Sequence, residues 1–264
     1  MRSRIMTQGN NFFLIRFLGW AALLWGGMAF LSPREALAHT RHYVFNQEYQ
    51  TLPQGVFELE SHTGFEVPDH HLTNDNEIEY QEELEYGVTD HLSVAHYENW
   101  KTENHADPEE DDATRYRGFK FETKYRFAEK GKYWVDPLFY LEWATDPQNR
   151  DNPNTLEGKI VLSKDLGKFN VTYNQVLESE LGKGGHTTHE YTAGVNYEIF
   201  SDVHLAGEIK GTYWTPRTHR NEIAMGPTLS YEAKYFWIAV GHLFGVNHAA
   251  KDHETQIIIG VPFG

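Results

Sequence analysis

Three observations predict an all-β fold, a transmembrane antiparallel up-and-down β-barrel of about twelve strands. Apolar and polar side chains alternate with period two, short turns alternate with longer polar loops, and aromatic rings gather near the ends of the alternating segments.

Residues 1–38 read as an export signal. Arg2, Arg4 and Arg16 form the basic start, Phe17 to Leu31 the apolar stretch, and Ala36-Leu37-Ala38 a small-x-small cleavage site before His39. The apolar run is shorter than the roughly 20 residues of a spanning helix, which argues against an uncleaved anchor. Cleavage after Ala38 leaves residues 39–264 as one domain. The leader takes four of the 23 basic and one of the 38 acidic residues, so the mature chain keeps 19 basic and 37 acidic residues, a formal charge of −18. That charge opposes nucleic-acid binding and points to cations or a strongly hydrated surface. With no cysteine, disulfide scaffolds, thiol nucleophiles and thiolate metal sites are excluded.

A polar lead-in ends at Leu52-Pro53-Gln54-Gly55, and the first strand sets Phe57, Leu59, Ser61, Thr63, Phe65 and Val67 against Glu58, Glu60, His62, Gly64 and Glu66. After the loop Pro68 to Asn76, the stretch Glu77 to Trp100 forms a hairpin about Thr89-Asp90. Its first strand places Ile78, Tyr80, Glu82, Leu84, Tyr86 and Val88 opposite Glu77, Glu79, Gln81, Glu83, Glu85 and Gly87. A helix would scatter those acids round its circumference, whereas a pleated strand collects them on one side. Glu82 alone interrupts the apolar side, and a bulge shifting the register there is the expected remedy, with pairing to a neighbour the alternative.

The acidic loop Thr102 to Thr114 leads to Tyr116 to Phe127, where Phe119, Phe121, Thr123, Tyr125 and Phe127 oppose Lys120, Glu122, Lys124 and Arg126. Tyr133 to Thr145 returns with Pro137 near its start, where a lost ladder donor is tolerated. Leu156 to Ser163 and Phe169 to Glu178 flank a turn about Lys164-Asp165-Leu166-Gly167-Lys168. His189 to Phe200 and Val203 to Tyr213 flank Ser201-Asp202. Glu222 to Tyr231 and Tyr235 to Gly245 flank Glu232-Ala233-Lys234, and Thr255 to Phe263 closes the chain.

Period two does not say whether the apolar side faces a core or lipid. About eight strands enclose a space that side chains fill, so a twelve-stranded soluble barrel lacks a dry interior, leaving a β-sandwich as the soluble alternative. Strand length, even strand number and aromatics at both ends favour lipid: Tyr86, Tyr125, Phe127, Tyr133, Tyr197, Phe200, Tyr231 and Trp237 lie by the short turns, and Trp100, Trp143 and Trp214 toward the long loops.

The segments Glu85 to Leu92, Ile160 to Gly167 and Gly226 to Tyr231 resemble hairpin signatures of small Gram-negative outer-membrane β-barrels, in particular the transporter-like family named after the phenol-degradation meta pathway. The resemblance spans nearly the whole mature chain, and its motifs are turn chemistry. It implies a cell outer membrane location, with short turns in the periplasm and long loops outside. Where such barrels commonly end in Phe, this chain ends Phe263-Gly264.

Glu58, Glu60, Glu77, Glu79, Glu83, Glu85, Glu122 and Glu142 fall on the side assigned to the lumen. A water-filled lumen accounts for them as solvated groups, and carboxylate rings also favour cations in pores. Lys120, Lys124 and Arg126 are alternatives that cross-link and narrow the lumen. Histidines occur toward the outer loops, and His70, His71, His186 and His189 are the candidate metal ligands, although none has the helical spacing of a specific metal motif. Ser163, Ser201 and Ser230 lie on the turn side and His248 in a loop without a nearby serine, so no enzymatic activity is expected. The sequence thus predicts a cation-preferring pore or transporter-like barrel for small solutes, with outer-membrane lipid as its surroundings and no cofactor. A non-conducting structural or metal-capturing barrel and a lipid-modifying barrel enzyme are the alternatives.

Overall fold

The computed structural model describes residues 41–71, 76–104, 113–149, 152–215 and 221–264. The expected leader, its cleavage site, the side chain of Trp214, and His105 and His219, two of the histidines expected toward the outer loops, lie outside the described residues. Twelve strands follow in chain order: β1 (Phe57–Val67), β2 (Asn76–Thr89), β3 (Leu92–Asn104), β4 (Ala113–Arg126), β5 (Asp136–Thr145), β6 (Asn154–Leu166), β7 (Phe169–Leu181), β8 (Thr187–Phe200), β9 (Val203–Thr215), β10 (Glu222–Glu232), β11 (Trp237–Gly245) and β12 (His253–Phe263). Each pairs antiparallel with its neighbours, and β1 pairs with β12, so the sheet closes on itself. Closure removes both sheet edges, a requirement in hydrocarbon, where an unpaired backbone amide costs several kcal/mol.

The two faces separate as the alternation predicts. Leu84, Phe121, Phe139, Leu141, Ile160, Leu162, Val195, Leu205, Leu229, Val240 and Ile259 point outward and are exposed, an apolar outer wall suited to lipid. Tyr125, Phe127, Tyr133, Tyr197, Phe200 and Tyr231 ring the turn end of that wall, also exposed. Trp237 departs from the expected girdle. It faces inward, is fully buried with Val44, Ala239 and Ile258, and donates from Nε1 to Glu58 Oε2 at 3.1 Å. The strand therefore presents a ring at the turn end that serves the interior.

No bulge occurs at Glu82. Pairing stays in step from Asn76 to Gly87, and the irregularities in the sheet fall between Gly87 and Thr89, Asn99 and Trp100, and Glu198 and Phe200. Glu82 stays on the outer wall and accepts a hydrogen bond from Ser61 Oγ at 2.9 Å, which supplies the partner that the register shift was expected to make unnecessary.

Residues 41–52, which read as a polar lead-in, occupy the barrel interior. Tyr43, Val44, Tyr49 and Leu52 are buried there, and Asn46, Gln47 and Glu48 with them. The segment enters at the turn end. The Leu52 amide donates to Ser93 Oγ at 2.8 Å and Thr51 Oγ1 to the Asp90 carbonyl at 2.8 Å. It then crosses beneath β5 to β10, with Tyr49 packed on Leu138, Tyr140 and Val161 and Tyr43 donating to the Asn170 carbonyl at 2.8 Å. Gly194 makes room for it, since a Cβ there would stand 2.5 Å from the Tyr43 ring.

Candidate functional site: a charged lumen and its inserted segment

The inward faces of β1 and β2 carry the acids because both strands alternate without interruption and are paired in register. Glu58 stands opposite Glu85, Glu60 opposite Glu83, Gly64 opposite Glu79 and Glu66 opposite Glu77. Like charges directly across a strand pair are destabilising unless compensated. At the turn-side half the compensation is local: Lys124 Nζ lies 2.8 Å from Glu85 and 3.1 Å from Glu122, the Tyr97 hydroxyl donates to Glu122, and Arg41 of the inserted segment lies 3.4 Å from Glu60. Glu142 pairs with Lys120 at 3.3 Å and accepts from the Tyr140 hydroxyl at 2.8 Å. All eight predicted acids therefore face the interior, but Glu58, Glu60, Glu83 and Glu85 are fully buried rather than bathed in water.

The inserted segment explains that burial. Glu208 on β9 accepts from the backbone amides of Val44 and Phe45, both at 2.9 Å, from Asn46 Nδ2 at 2.8 Å, and from the Thr228 hydroxyl. One carboxylate thus satisfies two amides of a segment that belongs to no sheet, meeting the requirement that buried backbone donors be paired. Ser93, Leu138, Val161, Thr172, Asn174 and Thr228, inward residues of five strands at this level, are each at most 1% exposed, so the interior is filled here.

Toward the long loops the interior opens. A cavity of about 190 Å³ is bounded below by Phe45 and lined by His62, Glu66, Glu79, Lys210 and Glu254. Lys210 bridges to Glu254 at 3.1 Å, Lys251 to Glu66, and Lys101 to Glu77 at 2.9 Å. Carboxylates and ammonium groups alternate round the wall.

The predicted histidine group divides. The rings of His70 and His71 have centroids 3.9 Å apart, tilted by 41°, on the β1–β2 loop, and His70 Nδ1 lies 2.5 Å from Asp252 of the β11–β12 loop. Asp69, His70 and His71 bring one ligand atom each within 4.8 Å of one another. His186 and His189 stand at the start of β8, with β9 to β12 between them and β1, and do not join the group. Asp252, whose carboxyl is held below the usual range by hydrogen bonds from the His70 amide and ring, had no sequence signal linking it to His70. His62, Arg41 and Glu208 were likewise absent from the predicted site. For His62 the signal existed, since it shares the alternation of Glu58 and Glu60. Ser163 accepts from Asn170 Nδ2 at 3.1 Å, and Ser230 Oγ makes no hydrogen bond among the described residues, so neither is bonded to a described histidine.

No protein-family model and no curated protein matches the sequence. Solved structures do match the fold. An outer membrane channel from Pseudomonas putida F1 is 10% identical, covering 84% of this chain and 100% of its own, with a TM-score of 0.62. The NanC porin is 13% identical over 78% of this chain and 99% of its own, with a TM-score of 0.55. The KdgM porin, solved in complex with disordered oligogalacturonate, is 11% identical over 78% of this chain and 98% of its own, with a TM-score of 0.52. At these identities the likeness establishes the architecture: this chain has the fold of small outer-membrane channel barrels.

Proposed function

We propose that the protein is an outer-membrane channel for small solutes, cation-preferring, with residues 41–52 as an occluding segment on the turn side. The observation that carries this reading is a closed barrel with an apolar outer wall and an interior lined by carboxylates, holding a cavity between Phe45 and the long-loop mouth. Carboxylates round a cavity that opens toward the long loops are the arrangement that favours cations in a pore. Conduction requires the inserted segment to move, because the lumen is filled at its level. The export signal and the fold likeness support placement in the outer membrane, short turns inward. The hairpin motifs support grouping with the transporter-like barrels named after the phenol-degradation meta pathway.

The test is a planar bilayer holding the mature protein under a salt gradient. Glu79 faces the cavity, within roughly a Debye length, about 8 Å at physiological salt, of an ion inside it. A cation-selective reversal potential is expected, moving toward zero in Glu79→Gln and at high salt. Absence of conductance at every voltage both in this protein and in a variant lacking residues 41–52 would refute the channel reading, and selectivity unchanged by Glu79→Gln would refute the role of the acidic wall.

A further inference from the structure

Three features of the molecule stand outside the channel reading: the rim group of His70, His71 and Asp252, the carboxylates Glu82 and Glu98 on the lipid face, and a buried triplet on β1 and β2. The first is exposed, with the His70 ring already engaged by Asp252 and the His71 amide by Asp69. On the lipid face Glu82 is bonded by Ser61, and Glu98 by the Tyr116 hydroxyl at 2.5 Å with His96 at 3.0 Å. The triplet is different.

Glu60 and His62 are two residues apart on β1 and share its inward face, and Glu83 stands directly across from Glu60 on β2. Backbone geometry alone therefore brings two carboxylates and an imidazole together. One ligand atom from each lies within 4.8 Å of the others, and all three side chains are buried. His62 Nε2 is 3.0 Å from Glu60 Oε2 and 3.4 Å from Glu83 Oε2. Both oxygens of Glu83 and Oε1 of Glu60 are buried with no hydrogen-bond partner among the described residues. Arg41 approaches to 3.4 Å of Glu60 and 4.0 Å of Glu83, yet its Nε makes no hydrogen bond to them or to any other described residue. The connected carboxylates Glu60, Glu83, Glu85 and Glu122 thus face two permanent cations, Arg41 and Lys124. A buried surplus of negative charge with unused acceptor oxygens is costly unless a cation or protons balance it.

We propose that Glu60, His62 and Glu83 form a binding site for a divalent cation of the zinc, copper and nickel class inside the barrel, in competition with Arg41 of the inserted segment. One imidazole nitrogen with carboxylate oxygens suits these ions, and the site has places left for water or a further oxygen. Arg41 supplies a single charge at 3.4 and 4.0 Å from these carboxylates, so a doubly charged ion held directly by three ligands displaces it. Metal binding and seating of the Arg41 end of the segment therefore oppose each other, each weakening the other by the same factor.

The experiment titrates zinc into the folded mature barrel carrying His70→Ala and His71→Ala, so that the rim does not compete, with folding checked by unboiled gel mobility. One saturable zinc per barrel is expected, its affinity falling about tenfold or more in His62→Gln and in Glu83→Gln and rising in Arg41→Ala. X-ray absorption at the zinc edge should show one imidazole among oxygen ligands, and that imidazole should be missing in His62→Gln. No saturable binding in either the barrel or its Arg41→Ala variant overturns the site, as does binding indifferent to His62→Gln and Glu83→Gln. Should a wall substitution fail to fold, Arg41→Ala still decides, because Arg41 lies off the wall and an unchanged or lower zinc affinity there contradicts the competition. The readout is binding, so its failure leaves the channel reading intact, and silence in the bilayer leaves this site intact.

Discussion

Replacing Glu208 with Ala should release the inserted segment while leaving the barrel closed. Glu208 receives three hydrogen bonds from the segment: the amides of Val44 and Phe45 at 2.9 Å and Asn46 Nδ2 at 2.8 Å. Hydrogen bonds to a charged group contribute about 1.5–3 kcal/mol each, for a gross of roughly 5–9 kcal/mol. Against this stands the desolvation of a carboxylate buried at 3% exposure, which its removal relieves. Taking the net loss as about 3 kcal/mol gives a shift of about a hundredfold in the balance between seated and released segment. Amide hydrogen exchange reads this directly: residues 41–52 should exchange about a hundredfold faster, while the amides of β9 and β10 keep their protection. Glu208→Gln retains an acceptor oxygen and should fall between. Unchanged exchange in the segment of Glu208→Ala would refute the assignment of Glu208 as its anchor.

Gly194→Ala should unseat the same segment by contact rather than charge, since the new Cβ meets the Tyr43 ring at 2.5 Å; a loss of about 1–3 kcal/mol should appear as faster exchange of Tyr43 and its neighbours, and none would mean the ring moves aside without cost. Glu82→Leu removes a carboxylate from the lipid face, directly opposite Glu98, and should stabilise the barrel by about 1 kcal/mol in urea unfolding from lipid vesicles; destabilisation would show that the Ser61 bond outweighs the burial. The tie between the β1–β2 and β11–β12 loops should weaken in acid. Asp252 is depressed by the His70 amide and ring, so its contribution is present above the unfolded carboxylate value near about 3.9 and is lost as pH falls through its lower folded value. Exchange of the His70 amide should rise only below that range, and protection of that amide unchanged through it would refute the role of the Asp252 carboxylate.

Local alternation made the wall of the barrel legible. In β1 and β2 the even spacing of Glu58, Glu60, Glu83 and Glu85 sufficed to put each carboxylate on the inner face, because period two is a property of the strand itself. What the interior contains depends on contacts between residues distant in sequence. Residues 41–52 have no period, and their partners Asn170, Glu208 and Ser93 lie far along the chain. Tyr43, Val44, Phe45, Tyr49 and Leu52 were the available hint, a run too apolar for a solvated lead-in. Trp237 failed for a related reason: a ring near a turn suits either the lipid boundary or the interior, and only Glu58 and Val44 decide between them. Glu82 failed the other way, because an expected backbone irregularity was replaced by a side-chain partner on the adjacent strand. The histidine group divided because loop proximity at a barrel mouth follows strand order, which places β1 and β8 on different walls.

If a conducting barrel carries its own occluding segment, single-channel recording should distinguish the mature protein from a variant lacking residues 41–52. Small or intermittent conductance is expected in the intact protein and a larger, sustained, cation-selective conductance in the shortened one, both with the gel mobility of a closed barrel. Equal conductance in the two folded proteins would contradict occlusion by the segment, and silence in both would contradict the channel itself.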